Sequence, residues 1–167
     1  ILVFNLETIQ YMNSELNRQS GILLHLTSLP GPHGIGDLGQ GAYSFVDSMK
    51  EMGQHLWQIL PANPPENLYH CPYSASSAFA GNTLLISLEA LQKDGFLEDR
   101  DLADFPQSVK DRVEFDKVDP DRRALLQKAA DRFPKKAPTG MLAEFNDFCI
   151  QNQNWLDHYA MYCHLAE

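Results

Sequence analysis

Residues 21–61 are GILLHLTSLPGPHGIGDLGQGAYSFVDSMKEMGQHLWQILP, and their pattern predicts the fold class. Gly21–Leu26 is a short, continuous apolar run, which is typical of a strand buried on both faces. His55–Pro61 is a second run of the same kind. A helical pattern lies between them, and strand, helix and strand in this order form a parallel pair with a crossover helix. The sequence therefore predicts an α/β fold.

The predicted crossover helix covers residues 38–52. Its apolar side chains recur at the 3.6-residue spacing of one helix face: Ala42, Phe45, Val46 and Met49. Asp37 is a suitable N-cap, and Gly53 is a suitable C′ residue, where a helix often ends in a left-handed conformation. The pattern thus predicts both ends of the helix and its apolar face.

GIGDLG (Gly34–Gly39) matches the G-x-G-x-x-G string of dinucleotide-binding folds. That mechanism requires the glycines directly after the first strand, so that a pyrophosphate meets a helix N-terminus. Here seven residues separate Leu26 from Gly34, and the second strand runs into PAN at residues 61–63, without an acidic residue to hold a ribose. The segment is interpreted as a loop, and no cofactor is expected.

The composition narrows the classes of function. The chain has 167 residues and a formal net charge of −9, which disfavours nucleic acid and polyphosphate partners because phosphates require a basic surface. A neutral substrate fits better. No apolar run approaches the ~20 residues of a membrane span, and residues 1–17 lack the basic start of a signal peptide. We therefore expect no nucleic acid and no membrane among the partners.

The three cysteines (Cys71, Cys149 and Cys163) show no spacing of a disulfide framework. They indicate free thiols in a reducing compartment, so a cytoplasmic location is expected. The adjacent pairs His70–Cys71 and Cys163–His164 lack the C-x₂₋₄-C or H-x₃₋₅-H spacing of a structural zinc site. No metal is expected.

The frequency of Lys and Arg changes along the chain. Lys50 is the only Lys or Arg between Gln19 and Asn82, whereas Lys93–Lys136 contains eleven. The first region resembles the interior and loops of a buried sheet in composition, and the second resembles a solvated helical region. A boundary is therefore predicted near residues 82–87.

The second region is predicted to be mainly helical. Thr83–Leu88 is strand-like and leads into a short helix that ends near Gly95, and Asp119 and Pro120 suit the N-cap and first position of a longer helix. Apolar side chains at helical spacing mark that helix and, after a loop at 135–140, two more: Leu125, Ala129 and Phe133; Leu142, Phe145 and Phe148; Trp155, Tyr159 and Tyr162. The last set is interpreted as core rather than as a platform for a sugar.

Pro61–Asn82, PANPPENLYHCPYSASSAFAGN, is the segment most relevant to function. It is long for a loop between a strand and a helix, and such loops are usually functional or disordered. Its aromatic and apolar content argues against disorder. Because it follows a parallel strand, it is predicted to lie at the C-terminal edge of the sheet. Tyr69, His70 and Tyr73 suit a neutral sugar, which needs an apolar ring face and hydrogen-bonding groups; a packed structural loop is the alternative.

A succession of strings in the chain resembles one known family. Arg18–Gly39 looks like the opening segment of the amylomaltases or disproportionating enzymes, which are 4-α-glucanotransferases. Trp57–Pro61, Pro72–Asn82 and Leu84–Leu91 continue the resemblance in order. VEFDKV, EFNDFCIQN and NWLDHYAMY are also similar to family segments. The resemblance extends from about Arg18 to the end of the chain.

This resemblance implies a (β/α)₈ barrel with inserted subdomains. Residues 1–17 would be an N-terminal extension, residues 18–82 the first βαβ portion of the barrel, and residues 83–167 the start of an inserted, mainly helical subdomain. Such a barrel needs ~250 residues, so the chain is expected to be the N-terminal portion of a longer protein.

The resemblance also implies a reaction. An α-1,4-glucan segment moves between maltooligosaccharides, or between glucans derived from starch or glycogen, with retention at the transferred carbon. A carboxylate nucleophile forms a glycosyl-enzyme, and a second carboxyl group acts as acid and then as base. Both groups are expected beyond Glu167, so no catalytic residue is assigned within the chain.

Tyr73 matches the tyrosine of the family's SPY motif, which stacks on the sugar at the cleavage point. Cys71 replaces the usual Ser of that motif, and His70 stands where Asp is usual. The loop is one residue longer than the family pattern, so that the family's glycine-flanked Tyr corresponds to Leu68 or to Tyr69. The resemblance thus assigns substrate binding to Tyr73, Cys71, His70 and Tyr69.

Two functions from different classes remain open at this point. One is a transferase whose catalytic groups lie outside this chain. The other is a non-catalytic glucan-binding or interaction module on the same scaffold. A reading frame that continues past Glu167 into further barrel strands with Asp and Glu at their ends would distinguish them.

Overall fold

The computed structural model describes residues 2–5, 18–66, 70–103, 105 and 111–166. The strands of this part of the chain are β1 (Leu2–Asn5), β2 (Gly21–Leu23) and β3 (Leu56–Ile59). Its helices are α1 (Gln40–Glu51), α2 (Leu88–Lys93), α3 (Asp99–Leu102), α4 (Phe115–Lys136) and α5 (Thr139–Ala166). Short 3₁₀ turns occupy Leu26–Ser28 and Thr83–Leu85.

The sheet has the order β1-β3-β2. β2 and β3 are parallel, with Gly21 opposite Leu56, and α1 connects them. The prediction of an α/β fold with a parallel βαβ unit is therefore confirmed. β1 pairs antiparallel with the other edge of β3, and the sequence analysis predicted no strand there.

Burial of both faces of these strands was predicted, and this prediction is wrong for the described residues. The Trp57 ring packs against Phe45 of α1, with ring centroids 4.8 Å apart. Leu23 points to the opposite side of the sheet and is 61% exposed. Since side chains alternate along a strand, one helix can cover only one face. Both strands are also shorter than the predicted ranges 21–26 and 55–61, because the chain turns into a 3₁₀ helix at Leu26 and leaves the sheet after Ile59.

The covered face forms the first core. Ala42 and Met49 of α1 are buried, and Phe45 and Val46 pack at the edge of the same cluster, which confirms the predicted apolar face. Met49 is fully buried. Removing a side chain of this size from water contributes about 1.5–3 kcal/mol.

The two ends of α1 differ in how well they were predicted. Gly53 lies just past the end with φ +67°, so its predicted role as C′ residue is confirmed. Asp37 is not the N-cap, and Gly39 takes that position. The Asp37 carboxylate instead accepts hydrogen bonds from the Gly39 amide (2.9 Å) and from Arg122 (3.1 Å), so the helix begins later.

Thr83–Leu88 was predicted to be strand-like, which is wrong. Side chains in this segment accept hydrogen bonds from nearby backbone amides, which favours turns over a strand. The Asn82 side chain accepts a hydrogen bond from the Leu84 amide at 3.0 Å, which starts the 3₁₀ turn. The Ser87 hydroxyl accepts from the Ala90 amide and caps α2, which ends at Lys93 near the predicted Gly95.

α4 begins at Phe115, so the predicted start at Asp119 and Pro120 is wrong. Val118, in the first turns of the helix, is buried against Ile35 and Leu84, and this packing extends the helix toward its N-terminus. Pro120 lies inside the helix. Asp119 does not cap the helix and instead forms an i,i+4 ion pair with Arg123.

The rest of α4 follows the prediction. Leu125 and Ala129 are buried, and Phe133 packs at the edge of their cluster, which also contains Leu88 and Phe96. Arg122 has a fully buried side chain and reaches Asp37 in the loop before α1. α4 is therefore joined to the βαβ unit by an ion pair and to α2 by apolar contacts.

The loop predicted at 135–140 is present but shorter, at Ala137 and Pro138, and the two separate helices predicted after it are wrong. α4 continues through Pro134 to Lys136, and α5 is one helix of 28 residues that starts at Thr139. The segment between Phe148 and Trp155 contains no Gly or Pro that would end a helix. The domain boundary between residues 82 and 83 stays a prediction.

Candidate functional site

The loop 61–82 leaves the carboxyl end of β3, on the side of the sheet predicted for it. Its two ends are tied together at the base. The Asn82 amide donates to the Ala62 carbonyl at 2.8 Å, and the Asn63 side-chain amide donates to the Ala80 carbonyl at 3.1 Å. The loop therefore projects from a closed base.

Further along, the two arms of the loop pair with each other. Pro65 and Ala75 form an antiparallel bridge. The Glu66 amide donates to the Ser74 carbonyl at 2.7 Å, and the Ser76 amide donates to the Pro64 carbonyl at 3.0 Å. These bonds give the described part of the loop a defined backbone, in agreement with the prediction that it is ordered.

Tyr73 lies in a tight turn at the end of these arms. The Ser74 amide donates to the Cys71 carbonyl at 3.0 Å, which closes a four-residue turn over Cys71–Ser74. Pro72 stands at the second position, where its fixed φ favours a turn. The Tyr73 side chain is 70% exposed, and the Cys71 thiol is free and half-buried. The turn thus presents an aromatic ring to solvent beside a thiol.

His70 faces the other way, toward α4. Its ring stacks on Phe115 with centroids 4.6 Å apart and planes 15° apart. Its Nδ1 atom lies 4.0 Å from an Asp119 carboxylate oxygen, and its side chain is only 12% exposed. The φ of His70 is +47°, a left-handed conformation that is uncommon outside glycine. Packing on α4 accompanies this backbone conformation.

Of the four residues assigned to substrate binding, the structure describes three. Cys71 and Tyr73 share one turn, whereas His70 packs on a helix next to it. Tyr69, together with Leu68, lies outside the described residues. Their roles in binding stay predictions.

The second arm of the loop rests on α5. The Phe79 and Trp155 rings are stacked with centroids 5.9 Å apart. The Ser76 hydroxyl lies 3.2 Å from the Tyr159 hydroxyl. Burial raises the pKa of the Tyr159 phenol, and either hydroxyl can donate in this bond. The loop therefore contacts α5 at two points, through Phe79 and through Ser76.

The interpretation of Trp155, Tyr159 and Tyr162 as core is wrong for the described residues. None of the side chains of α5 is buried, and Tyr162 is 54% exposed. Trp155 and Tyr159 contact Phe79 and Ser76 of the loop instead of a closed interior, and Tyr162 stacks on Tyr159. The sequence analysis found the stripe from its spacing but could not identify what it contacts.

Two further residues near the site were not singled out from the sequence. The His70 ring stacks on Phe115. The sequence analysis placed the start of this helix at Asp119, so Phe115 fell outside the predicted helix. His25 follows the carboxyl end of β2, and burial lowers its pKa, so it is neutral near pH 7. Its place two residues after a parallel strand is the signal that could have found it.

The GIGDLG segment is a loop, as predicted. A Cβ added to Gly36 would lie 2.2 Å from the Leu26 carbonyl oxygen, so this glycine allows a close backbone approach. Its amide donates to the Thr27 carbonyl at 3.2 Å. Gly36 therefore serves packing against the segment that follows β2.

Within the described residues, His, Cys, Asp and Glu side chains form no group of three that could hold a metal ion. The expectation that the protein uses no metal stays a prediction. None of the described helices combines the length and the apolar character that crossing a bilayer requires.

A parallel βαβ unit with a structured aromatic loop at the carboxyl end of its second strand is characteristic of α/β proteins that bind small molecules. A family model described as 4-alpha-glucanotransferase matches residues 24–167. The chain belongs to this family.

Relatives at about 40% identity carry the same name. The chain is 43% identical over 152 residues to a 4-alpha-glucanotransferase of Streptococcus pneumoniae, covering 90% of this chain and 29% of the relative. It is 41% identical over 151 residues to that of Aquifex aeolicus, with the same two coverages. A chloroplastic/amyloplastic relative from Oryza sativa is 44% identical over 151 residues, covering 87% of this chain and 25% of the relative. The chain thus spans less than a third of the length of these relatives.

A solved structure is also similar. It is the amylomaltase from Streptococcus agalactiae in complex with acarbose, at a TM-score of 0.78 and 36% identity. The match covers 86% of this chain and 28% of that one. The resemblance noted in the sequence is therefore confirmed in both sequence and structure.

Proposed function

We propose that the protein is a 4-α-glucanotransferase that moves α-1,4-glucan segments between maltooligosaccharides or glucans derived from starch or glycogen, with retention. The family match over residues 24–167 is the observation that carries this proposal. The chain spans 29% of the length of the pneumococcal relative, so the activity is proposed for the whole protein and not for these residues alone.

The proposed architecture is the beginning of a (β/α)₈ barrel followed by the start of an inserted, mainly helical subdomain. The sheet supports it, because α1 covers one face and leaves Leu23 exposed on the other. In a barrel of this kind the helices lie outside, and the opposite strand face fills the interior. The division at residues 18–82 and 83–167 belongs to the same proposal.

The proposed glucan contacts lie in the loop after β3. Tyr73 offers an exposed ring for stacking on a sugar, and its hydroxyl can bond a sugar hydroxyl. Cys71 and Tyr69 are proposed to contribute from the same loop. His70 is proposed to belong to the binding loop, although its ring packs on α4. A neutral, hydroxyl-rich ligand agrees with the net charge of −9.

The transfer itself requires two carboxyl groups in the geometry of a retaining enzyme, about 5–5.5 Å apart. One attacks the anomeric carbon as the glycosidic bond breaks, and the other protonates the departing sugar oxygen. The second group then removes the proton from the 4-hydroxyl of the acceptor glucan, which displaces the enzyme carboxylate. We propose that residues after Glu167 supply both groups, and that the described loop binds and orients the donor.

The cellular location stays a prediction. The free cysteines suit a reducing compartment, for which the cytoplasm was predicted. The rice relative is named as chloroplastic/amyloplastic. The prediction of no nucleic acid and no membrane partner also awaits a test.

Maltotriose tests the function directly. The protein expressed from its complete reading frame should convert two maltotriose molecules into glucose and maltopentaose, whereas the 167-residue chain alone should not. Glucose without any longer product would indicate hydrolysis instead of transfer. Binding of maltotriose with neither product would favour the non-catalytic glucan-binding module and would overturn the transferase.

A further inference from the structure

The turn that carries Tyr73 is held from both sides by two different helices. His70 stands directly before the Cys71–Ser74 turn, and its ring stacks on Phe115 of α4 at 4.6 Å. Ser76 stands two residues after the turn, and its hydroxyl lies 3.2 Å from that of Tyr159 on α5. Tyr73 itself, between these two contacts, is exposed.

The contact on α5 reaches both arms of the loop through Ser76. The Ser76 hydroxyl donates to the Pro64 carbonyl at 3.3 Å on the opposite arm. The same hydroxyl lies 3.2 Å from the Tyr159 hydroxyl, and either group can donate in that bond. The Tyr159 hydroxyl therefore ties α5 to both arms of the loop through Ser76.

The contact on α4 is a ring stack with a charged neighbour. His70 and Asp119 are each 12% exposed, so water is largely excluded from this junction. Asp119 is also paired with Arg123 on the same helix. The left-handed backbone at His70 turns its ring onto α4 while the next residues enter the turn.

The two helices are joined to each other, so the two contacts form one support. Only Ala137 and Pro138 separate α4 from α5, and the Phe133 and Phe145 rings meet edge to face at 5.4 Å. A loop held at two points on one support has fewer orientations than a loop held at its base alone. Losing that orientation raises the cost of binding a sugar productively.

We propose that His70 and Tyr159 are positioning residues for glucan binding: they fix the Cys71–Ser74 turn between α4 and α5, so that Tyr73 meets the sugar in one orientation. This inference rests on the proposed function. It gives the helical region a part in substrate recognition through residues that need not touch the glucan.

Single substitutions in the protein expressed from its complete reading frame separate the two contacts. Tyr159→Phe removes only the hydroxyl and keeps the ring beside Trp155. His70→Asn removes the stack and still tolerates a left-handed backbone, whereas His70→Phe keeps a stacking ring. Tyr162→Phe is the matched control, since it removes the hydroxyl of an exposed tyrosine one turn further along α5.

Three measurements are made on each variant: kcat/KM with maltotriose, melting temperature, and amide hydrogen exchange of the turn. Tyr159→Phe and His70→Asn should each lower kcat/KM about fivefold, the size of one net hydrogen bond, and speed exchange at the Ser74 and Ser76 amides. His70→Phe keeps the ring but is disfavoured at a left-handed backbone, so it should lose less kcat/KM than His70→Asn without matching the parent. Tyr162→Phe should change none of the three.

Unchanged kcat/KM and exchange in Tyr159→Phe and His70→Asn would overturn the proposal. A lower melting temperature with normal kcat/KM would also overturn it, because the contacts would then be merely structural. If the unsubstituted protein transfers no glucan, the proposed function fails instead. Exchange at the turn then still decides whether the two residues hold it.

Discussion

The two long helices meet the rest of the molecule in different ways. α4 buries five residues, among them the charged Arg122, and packs on both the βαβ unit and α2. α5 is longer, yet none of its side chains in the described range is buried. Met141 at its start packs at the edge of the core, and further along, the helix contacts aromatic rings and one hydroxyl of the loop. The first helix is part of the core, whereas the second lies over the loop that carries Tyr73.

Because of this difference, we expect substitutions on α4 to affect mainly stability and substitutions on the loop-facing part of α5 to affect mainly the binding loop. A change on the buried side of α4 removes packing or leaves a charge without its partner, so it should lower the free energy of unfolding. A change on the part of α5 that faces the loop, around Trp155 and Tyr159, removes contacts that are half-exposed, so it should affect mainly the loop.

The first prediction concerns the ion pair that joins α4 to the βαβ unit. Arg122→Leu leaves the Asp37 carboxylate without its partner and the Ile86 carbonyl without a donor. Breaking a buried pair from one side costs about 3–5 kcal/mol. Urea unfolding should show this loss, while Arg123→Leu, on the adjacent half-exposed residue, should cost less than about 1 kcal/mol. Equal losses in the two variants would refute the buried role of Arg122.

The second prediction compares one leucine on each helix. Leu125 on α4 is 5% exposed, and Leu165 on α5 is 78% exposed. Leu125→Ala should lower the free energy of unfolding by about 2–5 kcal/mol, because it opens a cavity among Leu88, Phe96 and Ala129. Leu165→Ala should stay within about 0.5 kcal/mol. A large loss from Leu165→Ala would mean that α5 is buried in the whole protein and would break the comparison.

The third prediction is that a substitution of Tyr73 lowers activity and leaves stability unchanged. Tyr73→Ala should leave the melting temperature nearly unchanged, since the side chain is 70% exposed. It should lower turnover of saturating maltotriose about two- to tenfold, because a stacking contact is worth about 0.5–1.5 kcal/mol and matters most in the distorted transition state. Tyr43→Ala on α1, where the tyrosine is 67% exposed, is the matched control and should alter neither quantity. Lost stability with normal turnover would remove Tyr73 from the site.

The sequence predicted best where neighbouring residues along the chain also pack together. The βαβ unit is such a case: Met49 and its helix face pack on strands close in sequence, and periodicity identifies that face. Gly53 was predicted correctly because a left-handed C′ position depends on local backbone geometry.

The predictions failed where a distant partner decides the structure. Asp37 suits an N-cap, but Arg122, 85 residues further along the chain, engages its carboxylate. Pro120 suits a helix start, but burial of Val118 against Ile35 and Leu84 places the start earlier. Likewise, the exposure of Tyr73 and the packing of His70 on α4 depend on tertiary contacts, which the spacing of residues along the chain does not reveal. The candidate loop could be found from the sequence, and the orientation of its residues could not.

The smallest expected effect lies at the other end of α4 and depends on pH. The Asp101 carboxylate accepts hydrogen bonds from Arg132 and from the Glu98 amide, and these hold the pKa of Asp101 well below its usual range. A depressed folded pKa stabilises the protein above the unfolded pKa near 4, and the stabilisation is lost as pH falls toward the folded value. Asp101→Asn should therefore melt a few degrees below the parent at pH 7, and the gap should narrow between about pH 4 and pH 2. Asp99→Asn, on the same short helix and with an exposed side chain, is the control and should show no such narrowing. A gap for Asp101→Asn that stays constant down to pH 2 would mean that the charge of Asp101 does not stabilise the junction between α3 and α4.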